Sequence, residues 1–154
     1  MTFEMQAIGV VRSPVTSRPH DVWGGVQSVI ELDTSRFSAD ALAGLDAFSH
    51  CEIVFVLDRI EHENITYGRR HPRDQERWPS VGIFAQRGAR RPNRIGVTTC
   101  AIVAVEGTRL TVGRLDAFDG TPVLDIKPVM REFGPDSEIR QPVWASEVME
   151  HYYA

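Results

Sequence analysis

The chain has 154 residues, of which 42% are hydrophobic and 25% are charged, a composition typical of a globular domain and unlike that of a disordered or fibrous chain. Its formal net charge is -4 at pH 7, so a general attraction to polyanions is not expected. No apolar run approaches the roughly 20 residues that cross a bilayer, and the N-terminus lacks a secretory signal, so we expect a cytoplasmic protein without a membrane partner.

Short apolar segments with period-two alternation and many β-branched residues predict a mainly β structure. Seven strands are predicted, at residues 7–11, 26–32, 51–57, 81–85, 97–105, 109–115 and 123–126. The Glu-Gly-Thr sequence between the fifth and sixth strands predicts a tight antiparallel hairpin. Because a small sheet removes its exposed edges by closing, we predict a small antiparallel or mixed β-barrel. A doubly wound fold is disfavoured because it needs longer helices between its strands.

One or two short helices are expected beside the strands. Ser38 is placed to cap a helix over residues 38–45. A second helix over residues 144–153 would present one apolar packing face, made of Trp144, Val148 and Tyr152. Residues 61–80 show no periodicity, and a polar segment of this length in a compact domain is typically disordered or part of a binding site.

Sequence patterns of several common activities are absent. The chain has no GxxxxGK[ST] phosphate loop, no GxSxG nucleophile turn, no HExxH zinc helix and no GxGxxG after a strand. Its five histidines are scattered and it has no CxxC pair, so we predict no metal site. Cys51 and Cys100 each lie in an apolar strand-like segment and are expected in the core.

Positive charge is concentrated between residues 69 and 94. This stretch holds eight arginines against two carboxylates, Asp74 and Glu76, although the chain as a whole is acidic. Such a focus can attract phosphate or carboxylate, and it is also compatible with a solvated loop that binds nothing.

The end of this basic stretch, residues 84–96, interrupts the strand pattern. Pro92 fixes its own backbone angle, while Asn93 and Gly96 tolerate left-handed conformations. The segment can therefore turn sharply and present amides and guanidinium groups on one side. This arrangement predicts a cradle for an anion or a carboxylate.

Two further polar stretches follow. Residues 115–122 are rich in acceptors that suit hydroxyls or an amine, although Asp-Gly-Thr-Pro is also a common turn without a ligand. Asp125 and Lys127 lie on one face of a predicted strand among apolar neighbours. Because buried charges need partners, this pair is either structural or part of a site.

Taken in chain order, five motifs resemble those of the TsaA-like family, which includes the YaeB/TrmO-type tRNA methyltransferases. The longest are Arg-Pro-Asn-x-Ile-Gly and Leu-Asp-x-x-Asp-Gly-Thr-Pro-x-x-Asp-Ile-Lys-Pro, which are specific when found in this order. The matching segments are residues 8–14, 45–50, 82–87, 91–96 and 115–128.

The resemblance implies a β-barrel that binds S-adenosylmethionine without a Rossmann sheet, as a homodimer with the cofactor near the subunit interface. The best-known activity of the family is N6-methylation of threonylcarbamoyladenosine beside the anticodon of tRNA. By similarity, the cofactor contacts would fall on the loop near Arg18 to Asp21, with Arg18, Pro19 and His20, and on Asp58, Arg59, Arg87, Arg91, Asn93, Gly96, Val97, Asp119, Gly120, Thr121 and Pro122.

Methyl transfer from a sulfonium needs mainly positioning and exclusion of water, so no covalent residue is required. An acceptor nitrogen that must lose a proton would be helped by a nearby carboxylate or imidazole. The candidates for this catalytic role are Asp125, Asp58 and His50.

The chain departs from the family pattern at several positions. Arg94 replaces a proline, and residues 18–25 read Arg-Pro-His-Asp-Val-Trp-Gly-Gly where relatives often carry Pro-Arg-Gln. We expect residues 1–154 to form one domain without the C-terminal domain of longer members. Three functions therefore stay open: methylation of a tRNA base, methylation of a small metabolite, or binding of the cofactor or RNA without turnover.

Overall fold

A computed structural model describes residues 1–18 and 20–154. The strands are β1 Gly9–Arg12, β2 Gln27–Leu32, β3 His50–Val56, β4 Arg69–Arg70, β5 Val81–Gly82, β6 Ile95–Glu106, β7 Arg109–Gly113 and β8 Pro122–Pro128. The α-helix found in these residues is α1, Val143–Met149. The remaining helical segments are 3-10 turns of three or four residues.

Six strands close into a barrel in the order β1-β2-β7-β6-β3-β8, and every neighbouring pair is antiparallel. Closure occurs where Gly9 pairs with Val123 and Val10 pairs with Pro122. The two-residue turn Gly107-Thr108 joins β6 to β7, as the hairpin prediction required. The predicted small β-barrel is confirmed, and its sheet is antiparallel throughout.

The barrel core consists of the inward residues that the alternation predicts. Val11, Ile30, Ile53, Leu110 and Val112 are fully buried. Cys51 and Cys100 are also fully buried, as unpaired thiols, which confirms their predicted place in the core. Burial raises the pKa of the Cys51 thiol to about 11.

Two local predictions are corrected. Predicted strand 81–85 is only β5 followed by a 3-10 turn, and it pairs with β4 outside the barrel. Predicted helix 38–45 is two 3-10 turns, because Gly44 between them takes a left-handed φ of 85°. Ser38 still caps the first turn by accepting from the Asp40 amide.

The C-terminal helix is shorter than predicted. It ends at Met149 and continues as a turn. The expected face is nevertheless present, because Trp144, Val148 and Tyr152 are each partly buried. No helix in residues 1–18 and 20–154 is long and apolar enough to cross a membrane.

Three connections meet at one end of the barrel. Residues 13–26 join β1 to β2, residues 57–94 join β3 to β6, and residues 114–121 join β7 to β8. We call this end the mouth. The segment 61–80 lies here and forms β4 and two 3-10 turns instead of a featureless loop. The antiparallel topology thus brings the polar motifs to the same end of the molecule.

Candidate functional site at the barrel mouth

Arg59 ties two of the mouth connections together. Its Nη2 donates to the Asp119 carbonyl at 2.8 Å and its Nη1 donates to the Thr16 carbonyl. The guanidinium also lies over the Phe118 ring, 4.8 Å from its centroid. The Asp119 carboxylate accepts from the Ser13 amide at 3.1 Å. Two of the predicted cofactor contacts therefore also hold the loops of the mouth in place.

The following residues of that turn close the barrel. Gly120 has a left-handed φ of 82° and its amide donates to the Val11 carbonyl at 2.8 Å. Thr121 is 4% exposed, and its carbonyl accepts from the Val11 amide at 2.9 Å. Pro122 begins β8 opposite Val10. The predicted contact segment 119–122 is thus fixed against β1 by its own backbone.

Gly96 lies beside the Phe55 ring. A methyl group added at Gly96 would lie 2.5 Å from two carbons of that ring, so only glycine leaves it room. Phe55 pairs with Gly96 on one side and with Val123 on the other. Segments 91–96 and 119–122 therefore flank the end of β3, about 10 Å apart at the usual strand spacing.

The first half of β6 has a free edge within the described residues. Residues 95–100 pair with β3, whereas β7 pairs only with residues 101–106. Arg87 is at this edge, where its Nη2 donates to the Val97 carbonyl at 2.5 Å. Such an edge offers backbone donors and acceptors to whatever lies against it.

In the arginine turn the left-handed conformation that the sequence allowed occurs at Asn93 and not at Gly96. Asn93 takes a left-handed φ of 64° inside the 3-10 turn Pro92–Arg94. Arg91 donates through Nη1 to the Gln86 carbonyl at 2.9 Å. Arg94, which replaces the family proline, donates through Nη1 to the Ile60 carbonyl at 2.9 Å. The extra arginine therefore joins the turn to the segment that follows β3.

Asp116 forms a network that the sequence did not predict. Its Oδ1 accepts from the Thr98 hydroxyl, and its Oδ2 accepts from the Tyr152 hydroxyl at 2.5 Å. Burial, followed by the Asp116 charge, raises the pKa of Tyr152 well above its ordinary value. Burial likewise raises the pKa of Tyr153 to about 12, although Arg114 lies 4.0 Å from its ring centroid.

The sequence indicated only one member of this network. Asp116 lies inside the matched motif 115–128, so its position was available in the sequence. Tyr152 and Tyr153 lie outside the matched segments, and Tyr152 was assigned only to a packing face. Their approach to Asp116 depends on how the C-terminal segment folds back on the mouth.

The first mouth connection contributes aromatic groups. The His20 ring is edge-on to Trp23, with centroids 4.7 Å apart, and Trp23 packs on Phe118 at 5.7 Å. Nε2 of His20 is buried and has no hydrogen-bond partner among the described residues. Arg18 is exposed, whereas Pro19 lies outside the residues that the structure describes.

The three catalytic candidates lie in different places. Asp58 is exposed at the mouth, directly after β3. His50 begins β3 at the opposite end, about 20 Å from the mouth at ~3.3 Å per strand residue. Asp125 lies midway along β8, opposite Val54. The structure does not bring these three groups together within one protomer.

The expected burial of the β8 pair is wrong. The side chains of Asp125 and Lys127 are 48% and 64% exposed, and their charged atoms are 3.0 Å apart. Both point outward because a register shift between Val54 and Phe55 leaves one extra residue in β8, so that Ile126 continues the inward face that Val123 begins. The geometry favours a surface ion pair over a buried charged site.

A groove of about 350 Å³ lies between the first mouth connection, the arginine-rich connection and α1. It is lined by Asp21, Val22, Arg73, Arg77, Trp78, Glu147, Val148, Glu150, His151 and Tyr152. Among these residues only Asp21 belongs to a predicted cofactor contact, the loop 18–21. A larger cleft, about 620 Å³, lies against residues 138–141 of the exposed C-terminal segment and contains no motif residue. The described residues bring no three His, Cys, Asp or Glu side chains close enough to hold a metal ion.

The sequence profile of the tRNA-methyltransferase O N-terminal domain family matches residues 12–134, most of the chain. This chain belongs to that family. The matched range contains the three connections of the mouth and seven of the eight strands in full.

Individual relatives agree with this assignment. The chain is 34% identical to the tRNA (adenine(37)-N6)-methyltransferase of Escherichia coli, over 84% of this chain and 58% of that protein. It is 35% identical to a probable S-adenosyl-L-methionine-binding protein of Methanothermobacter thermautotrophicus, over 83% of this chain and 90% of that protein. The chain spans only 23% of the human tRNA (adenine(37)-N6)-methyltransferase, at 35% identity over 67% of this chain.

Solved structures share the fold. A crystal structure of TrmO from Pseudomonas aeruginosa superposes with a TM-score of 0.72 at 26% identity. The alignment covers 93% of this chain and 63% of that one. The barrel and its mouth are therefore features of a family with known structures.

Proposed function

We propose that this chain binds S-adenosylmethionine at the barrel mouth and methylates N6 of threonylcarbamoyladenosine in tRNA. The observation that carries the proposal is the meeting of the family motifs 91–96 and 119–122 at the end of β3. The named activity of the Escherichia coli relative and the named ligand of the Methanothermobacter relative support it. A tRNA substrate also fits the cytoplasmic location expected from the sequence.

The chemistry of the mouth fits this cofactor. S-adenosylmethionine has a carboxylate, an ammonium group, two ribose hydroxyls and a flat adenine, so its site needs cations, acceptors and apolar surface together. Arg87 would bind the carboxylate of the cofactor. The Asp116 carboxylate would bind its ammonium group or its ribose hydroxyls. The buried, unpartnered Nε2 of His20 and the neighbouring Trp23 ring add a polar atom and an aromatic face.

When bound, S-adenosylmethionine supplies a methyl group already activated for displacement by its sulfonium. The protein's contribution is to hold the acceptor nitrogen in line with that methyl and to exclude water. As N6 gains the methyl group it loses one proton, and a carboxylate within reach would accept it. Of the three candidates Asp58 is favoured, because it alone lies at the mouth of the protomer.

Isothermal titration calorimetry with S-adenosylmethionine tests the cofactor site. Arg87→Ala is expected to weaken binding at least tenfold, because a charge-assisted contact to the carboxylate is lost. Arg140→Ala, in the exposed C-terminal segment, is the matched control and is expected to bind like the wild type. Equal affinity of Arg87→Ala and wild type would contradict the placement of the cofactor.

Incubation with labelled cofactor and tRNA lacking this methyl group tests the reaction. Mass spectrometry of the digested nucleosides is expected to show the methyl group on threonylcarbamoyladenosine, and Asp58→Asn is expected to reduce the rate without abolishing cofactor binding. Cofactor binding without transfer to any nucleoside would favour a metabolite acceptor or a binding module instead.

We also propose a homodimer with the cofactor site near the interface, and that residues 1–154 form one domain. Two observations support the dimer. The predicted contacts Arg87, Gly96 and Asp119 line neither of the two clefts described above. Large apolar side chains are also exposed after β8, namely Val129, Met130, Phe133, Ile139 and Val143. Sedimentation equilibrium over a range of concentrations measures the oligomeric state. A monomer at every concentration would contradict the proposed homodimer.

A further inference from the structure

Two exposed aromatic residues, Tyr67 and Phe84, lie at the open end of the β4–β5 ribbon. Arg69 pairs with Gly82, and the Ile83 amide donates to the Gly68 carbonyl at 2.9 Å, which extends the register by one residue pair. Tyr67 precedes Gly68 and Phe84 follows Ile83, so the two aromatic residues directly flank this hydrogen bond, Tyr67 in a bend and Phe84 in the 3-10 turn Ile83–Ala85.

The two rings are unusually open to solvent. Tyr67 is 75% exposed and Phe84 is 76% exposed. A methyl group added at Gly82, between Phe84 and the strand partner Arg69, would meet no atom within 4 Å. There is therefore open space beside the ribbon at Gly82, and exposed aromatic side chains at neighbouring positions are a feature of interaction surfaces.

The connection that holds the rings is rich in exposed positive charge. Arg69, Arg87 and Arg77 are exposed, and the Arg69 guanidinium is held by the Ser80 carbonyl at 2.8 Å. Of the two carboxylates in residues 69–94, Asp74 already contacts Arg70 and Arg90. Outside residues 69–94 the chain has nine basic and nineteen acidic residues, so the positive face is confined to this connection.

The combination of arginines and exposed aromatic rings indicates which kind of partner this surface binds. A two-fold dimer through this face would oppose the same arginines to one another, so self-association is disfavoured. A duplex buries its base faces, whereas a single-stranded loop exposes them for stacking on aromatic rings while its phosphates meet arginine.

We propose that Tyr67 and Phe84 form a stacking platform for unpaired bases of the RNA substrate, with the exposed arginines holding its phosphates. The inference rests on the proposed function and adds the surface by which a single-stranded loop is recognised. The Thr66 amide donates to the Arg90 carbonyl at 2.9 Å, so the segment that carries Tyr67 lies against the arginine turn of the proposed cofactor site.

Fluorescence anisotropy with a labelled anticodon stem–loop RNA tests the platform. Tyr67→Ala and Phe84→Ala are each expected to weaken binding about tenfold, the usual loss for one stacked base. Tyr67→Phe and Phe84→Trp are expected to restore most of the affinity, because they keep a ring. Phe3→Ala is the matched control, since Phe3 is 78% exposed and precedes β1 at the opposite end of the barrel.

A fully paired RNA of equal length and calorimetry with S-adenosylmethionine complete the test. The wild type is expected to prefer the stem–loop, and both alanine variants are expected to lose that preference while binding the cofactor normally. Unchanged RNA affinity in Tyr67→Ala and Phe84→Ala overturns the platform, as does a change in oligomeric state without a change in RNA affinity. Failure of the proposed function can be distinguished from failure of the platform. In that case the wild type would transfer no methyl group to tRNA, whatever its affinity for RNA.

Discussion

At the scale of single residues, Gly96 has a structural role that is independent of any ligand. Gly96→Ala is expected to lower the free energy of unfolding by about 1–3 kcal/mol, because the added methyl group collides with the Phe55 ring. Urea denaturation measures the loss. Gly113→Ala is the control, since a methyl group there meets no atom within 4 Å. Equal stability of the two variants would show that Phe55 moves aside without cost.

Tyr153 is expected to make the stability depend on alkaline pH. Its pKa is raised from 10.0 to about 12 by burial, so the folded state keeps a proton that the unfolded state has lost. The resulting stabilisation is complete below about pH 10 and disappears as the pH rises toward 12. Because the Cys51 thiol titrates in an overlapping range, Tyr153→Phe is compared with the wild type.

Urea unfolding at several alkaline pH values measures this difference. The free energy of unfolding of the wild type is expected to fall more steeply above pH 10 than that of Tyr153→Phe. Parallel curves for the two proteins would mean that the phenol ionises in the folded state as it does in the unfolded chain.

At the scale of elements, the C-terminal segment 143–154 is held against the mouth by contacts from three connections. The Trp23 amide donates to the Tyr152 carbonyl at 2.7 Å, and Trp78 Nε1 donates to Glu147 Oε2 at 2.9 Å. The Tyr152 hydroxyl donates to Asp116. The segment thus links all three mouth connections to one another.

Gly24 packs directly against the backbone of Tyr153 and Ala154 in this segment. A methyl group there would collide with the backbone carbonyls of Tyr153 and Ala154, so Gly24→Ala is expected to loosen the segment and to cost about 1–3 kcal/mol. Hydrogen exchange of residues 143–154 measures the loosening. Gly25→Ala is an adjacent control, because its added methyl group meets nothing within 4 Å. Equal protection in both variants would contradict the tight docking.

At the scale of the whole molecule, the chain is polarised between a basic connection and an acidic remainder. Affinity for single-stranded RNA is therefore expected to fall with salt, with a log–log slope of about -3 if four phosphates are contacted. Arg77→Ala is expected to reduce the magnitude of this slope by about 0.7. Anisotropy titrations at several salt concentrations measure it, and a slope near zero would show that the arginines do not contact phosphate.

The sequence by itself determined most of the barrel strands and the residues of the core. Alternation and hairpin chemistry are local properties, so the strands, the Gly107-Thr108 turn and the buried Cys51 and Cys100 could be predicted without any tertiary contact. The left-handed Asn93 was predictable for the same reason, because its side chain tolerates that backbone conformation.

Only the tertiary structure decided which side chains meet. Asp116 and Tyr152 are 36 positions apart, and their hydrogen bond exists because the C-terminal segment folds back on the mouth. The outward direction of Asp125 depends on the pairing of β8 with β3, and the distance of His50 from the mouth depends on the direction of β3. Strand pairing and barrel closure are set by contacts between distant segments, and a local sequence pattern carries no record of that geometry.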